Sequence, residues 1–167
     1  CGSKKSTLDP TAKWPTVSST TVRIGVAHGS LMIEGRYQPD DFPIALDAAE
    51  KQGLDYLALG HWHSLFSVGK RTFYSGTPEP TSFDEPRSGN ALLVTIDGPR
   101  QEPKVEPIKT GTLTWLVWEC DLGAGIKESE RWLKQRVEEL DQPETVLVRL
   151  VLSGHLSSDD NARLTEI

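Results

Sequence analysis

Two short apolar segments that each end in histidine constrain the fold of this chain more than any other feature. Residues 22–27 form the first and precede His28, and residues 54–59 form the second and precede the tetrapeptide Gly-His-Trp-His at 60–63. Apolar runs of this length are typical of buried β-strands. Apolar residues recur at helical spacing between them, so the sequence predicts a β-α-β unit. Because ligand sites in α/β sheets gather at the carboxyl ends of strands, we expect both histidine sites at one sheet edge.

The helix between the two strands has start and stop signals in the sequence. Asp40 and Asp41 precede Phe42 and Pro43, which predicts an N-cap followed by proline in the first turn. Gly53 is suited to end the helix because glycine tolerates a positive φ. The sequence therefore predicts a helix between the Asp pair and Gly53.

Short strands follow the second histidine site. Turn signals near Gly69 and at Asp97 separate apolar segments at residues 72–75, 91–96 and 105–108. These segments predict an antiparallel continuation of the same core.

From residue 111 the pattern changes to a second β-α-β unit. Alternating apolar residues at 113–117 and 146–152 flank an amphipathic segment at 129–140. We therefore expect an α/β (α+β) chain with one domain at residues 1–110, which opens with a loop or linker at 1–20. Residues 111–167 would form part of a small second domain.

Composition excludes several functional classes. The chain of 167 residues has no run of about 18 apolar residues, so no membrane span is expected. Cys1 and Cys120 are the only cysteines, which excludes a disulfide framework or a multi-cysteine zinc site and suits the reducing cytoplasm. The net charge of -6 argues against a strong nucleic-acid clamp by this segment alone. It leaves room for a locally basic groove, or for DNA contacts made elsewhere in a longer protein.

The residue types at the two strand ends are suited to metal binding. Residues two apart in an extended chain share a side, so His61 and His63 could face one cavity while Trp62 packs the other way. Two imidazoles of this kind can hold a pair of ions about 3.5–4 Å apart. The tetrapeptide alone is equally consistent with a surface turn that carries two solvated histidines. His28 at the neighbouring strand end favours the metal site, although a histidine at a strand end can also be purely structural.

Three segments resemble a known family. IGVAHGS, LDYLALGHWHS and FYSGTPEPTSFDE, in this order, are similar to the second half of the calcineurin-like metallophosphoesterases, and more narrowly to SbcD-type DNA repair exonucleases. The likeness covers about residues 22–110. It implies the C-terminal half of a metallophosphoesterase β-sandwich flanked by helices, and it implies that residues 111–167 are part of the family's small α+β capping domain.

The resemblance also implies a ligand set. His28 and His61 would bind one divalent ion and His63 the other, with manganese expected and iron or zinc as alternatives. Ser82 and Glu85 lie in the family-like Ser-Phe-Asp-Glu stretch, where a hydrogen bond to a metal-binding histidine and a structural turn are equally expected.

One departure from the family limits how many of its active-site residues can be assigned in this sequence. The family's first half contains Asp-x-His, Gly-Asp and Asn-His-Asp/Glu motifs, and the sequence contains none of them. The bridging carboxylate and the catalytic residues are therefore expected in a preceding segment. The sequence also starts without Met, which predicts a fragment truncated at both ends and inactive alone.

Metal-dependent phosphodiester hydrolysis is the favoured function, with DNA ends as the substrate of the parent protein. An SbcC-type ATPase is a partner implied by the resemblance alone. Two alternatives remain: a phosphatase or phosphodiesterase that acts on a small molecule, and a non-catalytic interaction module that retains part of the fold. A half-sheet would expose an edge and a face, so self-association of the chain is also expected.

Overall fold

The computed structural model describes residues 4–15, 20–155, 157, 159 and 160. The chain is an α+β protein with two compact units, Cys1–Gly111 and Thr112–Ile167. This division falls one residue after the boundary that the sequence predicts. Within the described residues, no helix is both long enough and apolar enough to cross a membrane.

In its described residues, the first unit contains one helix and two sheets. Its elements are β1 (Ile24–His28), α1 (Ala48–Lys51), β2 (Tyr56–Gly60), β3 (Phe66–Val68), β4 (Thr72–Tyr74), β5 (Asn90–Thr95) and β6 (Lys104–Lys109). The main sheet has the order β1-β2-β4-β3, with β1, β2 and β4 parallel and β3 antiparallel to β4. Strands β5 and β6 pair with each other in a separate antiparallel sheet rather than extending the main one.

The core of this unit lies against one face of the main sheet. Leu57, Leu59 and Tyr74 point into it, and they meet Leu31 and Ile44 from the connecting segment. The other face is open in the described part of the chain, because Ile24 and Val26 are 59% and 74% exposed. Residues two apart in a strand share a face, so His28 lies on the same side as these two apolar residues.

The predicted helix between the first two strands is shorter than expected. Only Ala48–Lys51 is helical, and Asp47 rather than Asp40 or Asp41 precedes the first turn. Residues 41–44 instead run beside residues 30–32, with Ile44 N–H donating to the Ser30 carbonyl at 2.8 Å. This pairing outweighs the local capping signal. Gly53 follows the helix with φ at +58°, in agreement with its predicted role.

The described part of the opening segment, residues 4–15, is a loop that contributes side chains to the first unit. Thr11 is 2% exposed, and its backbone N–H and hydroxyl both donate to one Asp9 carboxylate oxygen at 2.7 Å. The Trp14 ring packs against the core. Residues 1–3 and 16–19 of the predicted loop, which include Cys1, lie outside the described part of the chain.

The second unit has the predicted β-α-β order. Strands β7 (Thr114–Asp121) and β8 (Val146–Ser153) pair in parallel, and α2 (Ile126–Glu138) connects them. The Trp118 and Trp132 rings pack edge to face with centroids 6.1 Å apart, and the Cys120 thiol is free and buried.

Candidate metal centre

Strand pairing brings two of the three candidate histidines together. His28 ends β1 and is paired with Gly60, the last residue of the neighbouring parallel strand. His61 follows directly, and its ring meets the His28 ring edge to face with centroids 5.2 Å apart. The apolar runs that form the two strands therefore determine this juxtaposition.

The Gly-His-Trp-His tetrapeptide is not extended beyond Gly60, the last residue of β2, contrary to the expectation from the sequence. The chain turns at His61, whose φ is +113°, and not at the preceding glycine. Gly60 is needed for another reason, since a Cβ there would lie 2.9 Å from His28 Nδ1. Trp62 packs towards the core as predicted, because its ring stacks on Tyr74 with centroids 4.8 Å apart.

His63 shares a cleft with His61 rather than with His28. The cleft has a volume of about 630 Å³, and Arg36, Arg87 and Glu85 also line it. His28 does not line this cleft and adjoins it only through its contact with the His61 ring. The expected convergence of all three rings in one cavity is therefore not seen: His61 contacts the His28 ring, and it shares the cleft with His63.

The His63 ring is hydrogen-bonded to a carboxylate through one of its nitrogens. Nδ1 of His63 donates to Glu85 Oε1 at 2.6 Å, and the Thr81 N–H and hydroxyl donate to Glu85 at 2.9–3.0 Å. Burial raises the pKa of Glu85, but the hydrogen bonds from Thr81 and His63 outweigh it and hold the pKa below its usual value. The sequence did not indicate Thr81. Ser82, which it did indicate, accepts a hydrogen bond from the Asp84 N–H at 3.3 Å instead.

The His61 ring is likewise hydrogen-bonded to a carboxylate through one nitrogen. Nε2 of His61 donates to Asp41 Oδ2 at 2.8 Å, and the Ser30 hydroxyl donates to the same oxygen at 2.6 Å. Burial raises the pKa of Asp41, but these hydrogen bonds outweigh it and lower the pKa overall. Sequence reasoning missed this residue because it assigned Asp41 to a helix cap. The serine that follows His28-Gly29 was the available signal.

The donor chemistry suits a metal, but the donors are few. Metal-binding histidines commonly donate one ring N–H to a carboxylate, which leaves the other nitrogen for the ion. His61 and His63 both have this arrangement. Across the described residues, however, no group of three or more His, Cys, Asp or Glu side chains could hold a metal ion. The histidines could therefore act as ligands only beside further donors.

Comparison of the sequence with protein-family models gave no match, and comparison with curated proteins also gave none. The likeness of residues 22–110 to metallophosphoesterases therefore rests on the motifs themselves.

Proposed function

We propose that this chain contributes His28, His61 and His63 to a two-metal centre that hydrolyses phosphodiesters. The proposal rests on two hydrogen bonds made by the histidines that follow β2. His61 pairs with Asp41, and His63 pairs with Glu85. Solvated histidines on a surface turn need no such partners. Each carboxylate fixes one ring nitrogen as a proton donor and leaves the other with a lone pair.

The cleft beside His61 and His63 has groups suited to a phosphate ester. Arg36 and Arg87 both line it, and guanidinium groups bind phosphate oxygens through paired hydrogen bonds. The Arg36 guanidinium lies 5.5 Å from the centroid of the Phe66 ring, a contact that keeps this side chain beside the cleft. Asp84 and Glu85 line the same cleft, so the support for an anionic substrate comes from the paired donors of the two guanidinium groups and not from an excess of positive charge.

In this proposal His28 and His61 hold one divalent ion and His63 the other. Manganese is the expected metal, with iron or zinc as alternatives, since imidazole accepts all three. Such a pair, when bound, activates water and stabilises charge on the phosphoryl oxygens. The protein's own part is to orient the rings and to offer arginines to the phosphate. The remaining donors and the catalytic residues come from outside the described residues.

DNA ends are the proposed substrate of the parent protein, in the cytoplasm. The motif order at 22–110 supports this choice, and the second unit would serve as the capping domain that helps to select DNA. The SbcC-type ATPase is the partner that the same resemblance implies.

The ligand assignment can be tested by nuclear magnetic resonance with Mn²⁺ as the probe. Paramagnetic Mn²⁺ broadens signals of nearby nuclei even when it binds weakly. We expect the imidazole signals of His28, His61 and His63 to broaden at low Mn²⁺ concentration. His155, which is exposed in the second unit, serves as the control within the same molecule. Equal broadening of all four histidines would contradict the assignment, and His61→Ala should remove the effect at His28.

The small number of donors gives a reason to keep a second candidate function. A non-catalytic interaction module that retains part of the fold would also lack a complete ligand set. It would show no preferential broadening by Mn²⁺. A small-molecule phosphatase, by contrast, would bind Mn²⁺ at the same histidines. The parent protein would then hydrolyse p-nitrophenyl phosphate and leave DNA ends intact, whereas a nuclease would degrade the DNA.

A further inference from the structure

We propose that Asp41 is a positioning residue that fixes the proton and the direction of the His61 imidazole, so that Nδ1 is presented to a divalent metal ion. The inference rests on the proposed function for the metal. The state of the ring itself can be tested without any metal.

The contact between the two side chains defines which ring nitrogen is free. Asp41 Oδ2 lies 2.8 Å from Nε2 of His61. An ionised carboxylate only accepts hydrogen bonds, so Nε2 must carry the proton. In the neutral imidazole the lone pair then resides on Nδ1, which is the atom that can bind a metal. The His28 ring beside it supplies a second imidazole at a centroid distance of 5.2 Å.

Asp41 is itself tied to the core of the unit. The Ser30 hydroxyl donates to the same carboxylate oxygen at 2.6 Å, and Nε1 of Trp62 donates to the Ser30 hydroxyl oxygen at 3.1 Å. Ser30 is fully buried, and the Trp62 ring stacks on Tyr74. A relay of hydrogen bonds therefore runs from the core to the His61 ring, so Asp41 has little freedom to leave it.

The backbone on both sides of the contact is strained. Phe42, next to Asp41, has φ at +50°, and His61 has φ at +113°. Only one other non-glycine residue in the described chain, Arg100, has a positive φ. Such conformations cost free energy and persist only where the surrounding contacts over-determine them, most often at functional sites. An incidental surface ion pair would not require strain in both partners' segments.

The first experiment determines, in metal-free protein, which ring nitrogen of His61 carries the proton. Nitrogen-15 chemical shifts of the imidazoles distinguish the Nε2–H from the Nδ1–H form of neutral histidine. We expect His61 to be in the Nε2–H form in the wild type and in a mixture of forms in Asp41→Ala. Asp40→Asn is the matched control, since it changes the neighbouring carboxylate, which pairs with exposed Lys5. A wild-type ring state in Asp41→Ala would overturn the proposal and leave Asp41 with only a structural role.

The second experiment measures Mn²⁺ affinity by electron paramagnetic resonance of the free ion. Loss of a carboxylate behind a metal-binding histidine lowers metal affinity about 10–100-fold. We expect a loss of that size in Asp41→Ala, a smaller one in Asp41→Asn, and none in Asp40→Asn. Asn retains an accepting oxygen and the side-chain shape, so it decides the question if circular dichroism shows that Asp41→Ala is unfolded.

The two experiments separate failure of this inference from failure of the proposed function. Unchanged Mn²⁺ affinity in both Asp41 variants, when His61→Ala reduces it, would overturn the role of Asp41 alone. If the wild type and His61→Ala bind Mn²⁺ equally, the proposed metal centre is wrong. The ring measurement then still decides whether Asp41 positions His61.

Discussion

The imidazole of His28 lies over the backbone of Gly60, so closely that a Cβ at residue 60 would stand 2.9 Å from Nδ1 of His28. The two residues are register partners in the parallel pair β1–β2. A methyl group at residue 60 must therefore displace the ring. We expect Gly60→Ala to move His28 away from His61 and to abolish the preferential broadening of the His28 signals by Mn²⁺.

Gly98→Ala is the control for this substitution. A Cβ at residue 98 would meet nothing closer than a Gln101 side-chain carbon at 3.8 Å, which is ordinary van der Waals contact. This variant should keep the wild-type His28 signals and unfolding midpoint. Unshifted His28 signals in Gly60→Ala would contradict the packing described above.

Tyr74→Phe should destabilise the segment that follows His28. The fully buried Tyr74 hydroxyl donates to the Gly29 carbonyl at 2.7 Å and accepts from the Leu31 N–H at 3.0 Å. Its loss leaves two buried backbone groups without partners, at a cost of about 1–3 kcal/mol. Urea unfolding measures the change in the free energy of unfolding.

Tyr56→Phe is the matched control, because Tyr56 is 6% exposed and its hydroxyl makes no hydrogen bond within the described part of the chain. Burial raises the pKa of Tyr56 to about 12 and raises that of Tyr74 further. Both hydroxyl groups therefore keep their protons to a higher pH in the folded state than in the unfolded state. The stabilisation that this gives the folded state is lost as pH rises above 10.0, the usual pKa of tyrosine. A smaller loss of stability in Tyr74→Phe than in Tyr56→Phe would refute the assignment of those bonds.

Glu85 makes stability depend on pH in the acid range. Its pKa is lowered from the usual 4.5, so the folded state binds fewer protons at this group than the unfolded state does. The stabilisation from Glu85 is therefore fully present above pH 4.5 and is lost as pH falls through the folded-state pKa. Glu85→Gln should flatten the decline of unfolding free energy below pH 4.5. Glu102→Gln is a suitable control, since that exposed carboxylate pairs with exposed Lys70. An equally steep decline in Glu85→Gln would show that other carboxylates cause it.

The strand ends could be predicted from the sequence, whereas of the two carboxylates that contact the histidines only Glu85 was suggested. The apolar runs before His28 and His61 can be recognised from consecutive residues alone. Their parallel pairing follows from the β-α-β order. Asp41 was missed because its local pattern matches a helix cap. Its actual position depends on the pairing of residues 41–44 with residues 30–32, a tertiary contact. Glu85 was suggested only by the family resemblance, and its distance to His63 depends on the fold of the whole segment between them.

The chain as it stands should bind divalent metal weakly and should not hydrolyse phosphodiesters. A catalytic ion usually keeps three or more protein ligands, and three histidines shared between two ions do not provide them. Asp41 and Glu85 accept hydrogen bonds from His61 and His63, so neither is free in this arrangement to bridge two ions. Without a bridging carboxylate, two dications a few Å apart repel each other strongly. A nuclease assay with Mn²⁺ and calorimetric titration of the 167-residue chain test this. Turnover of DNA ends, or tight binding of two ions per chain, would show that the chain contains a complete site.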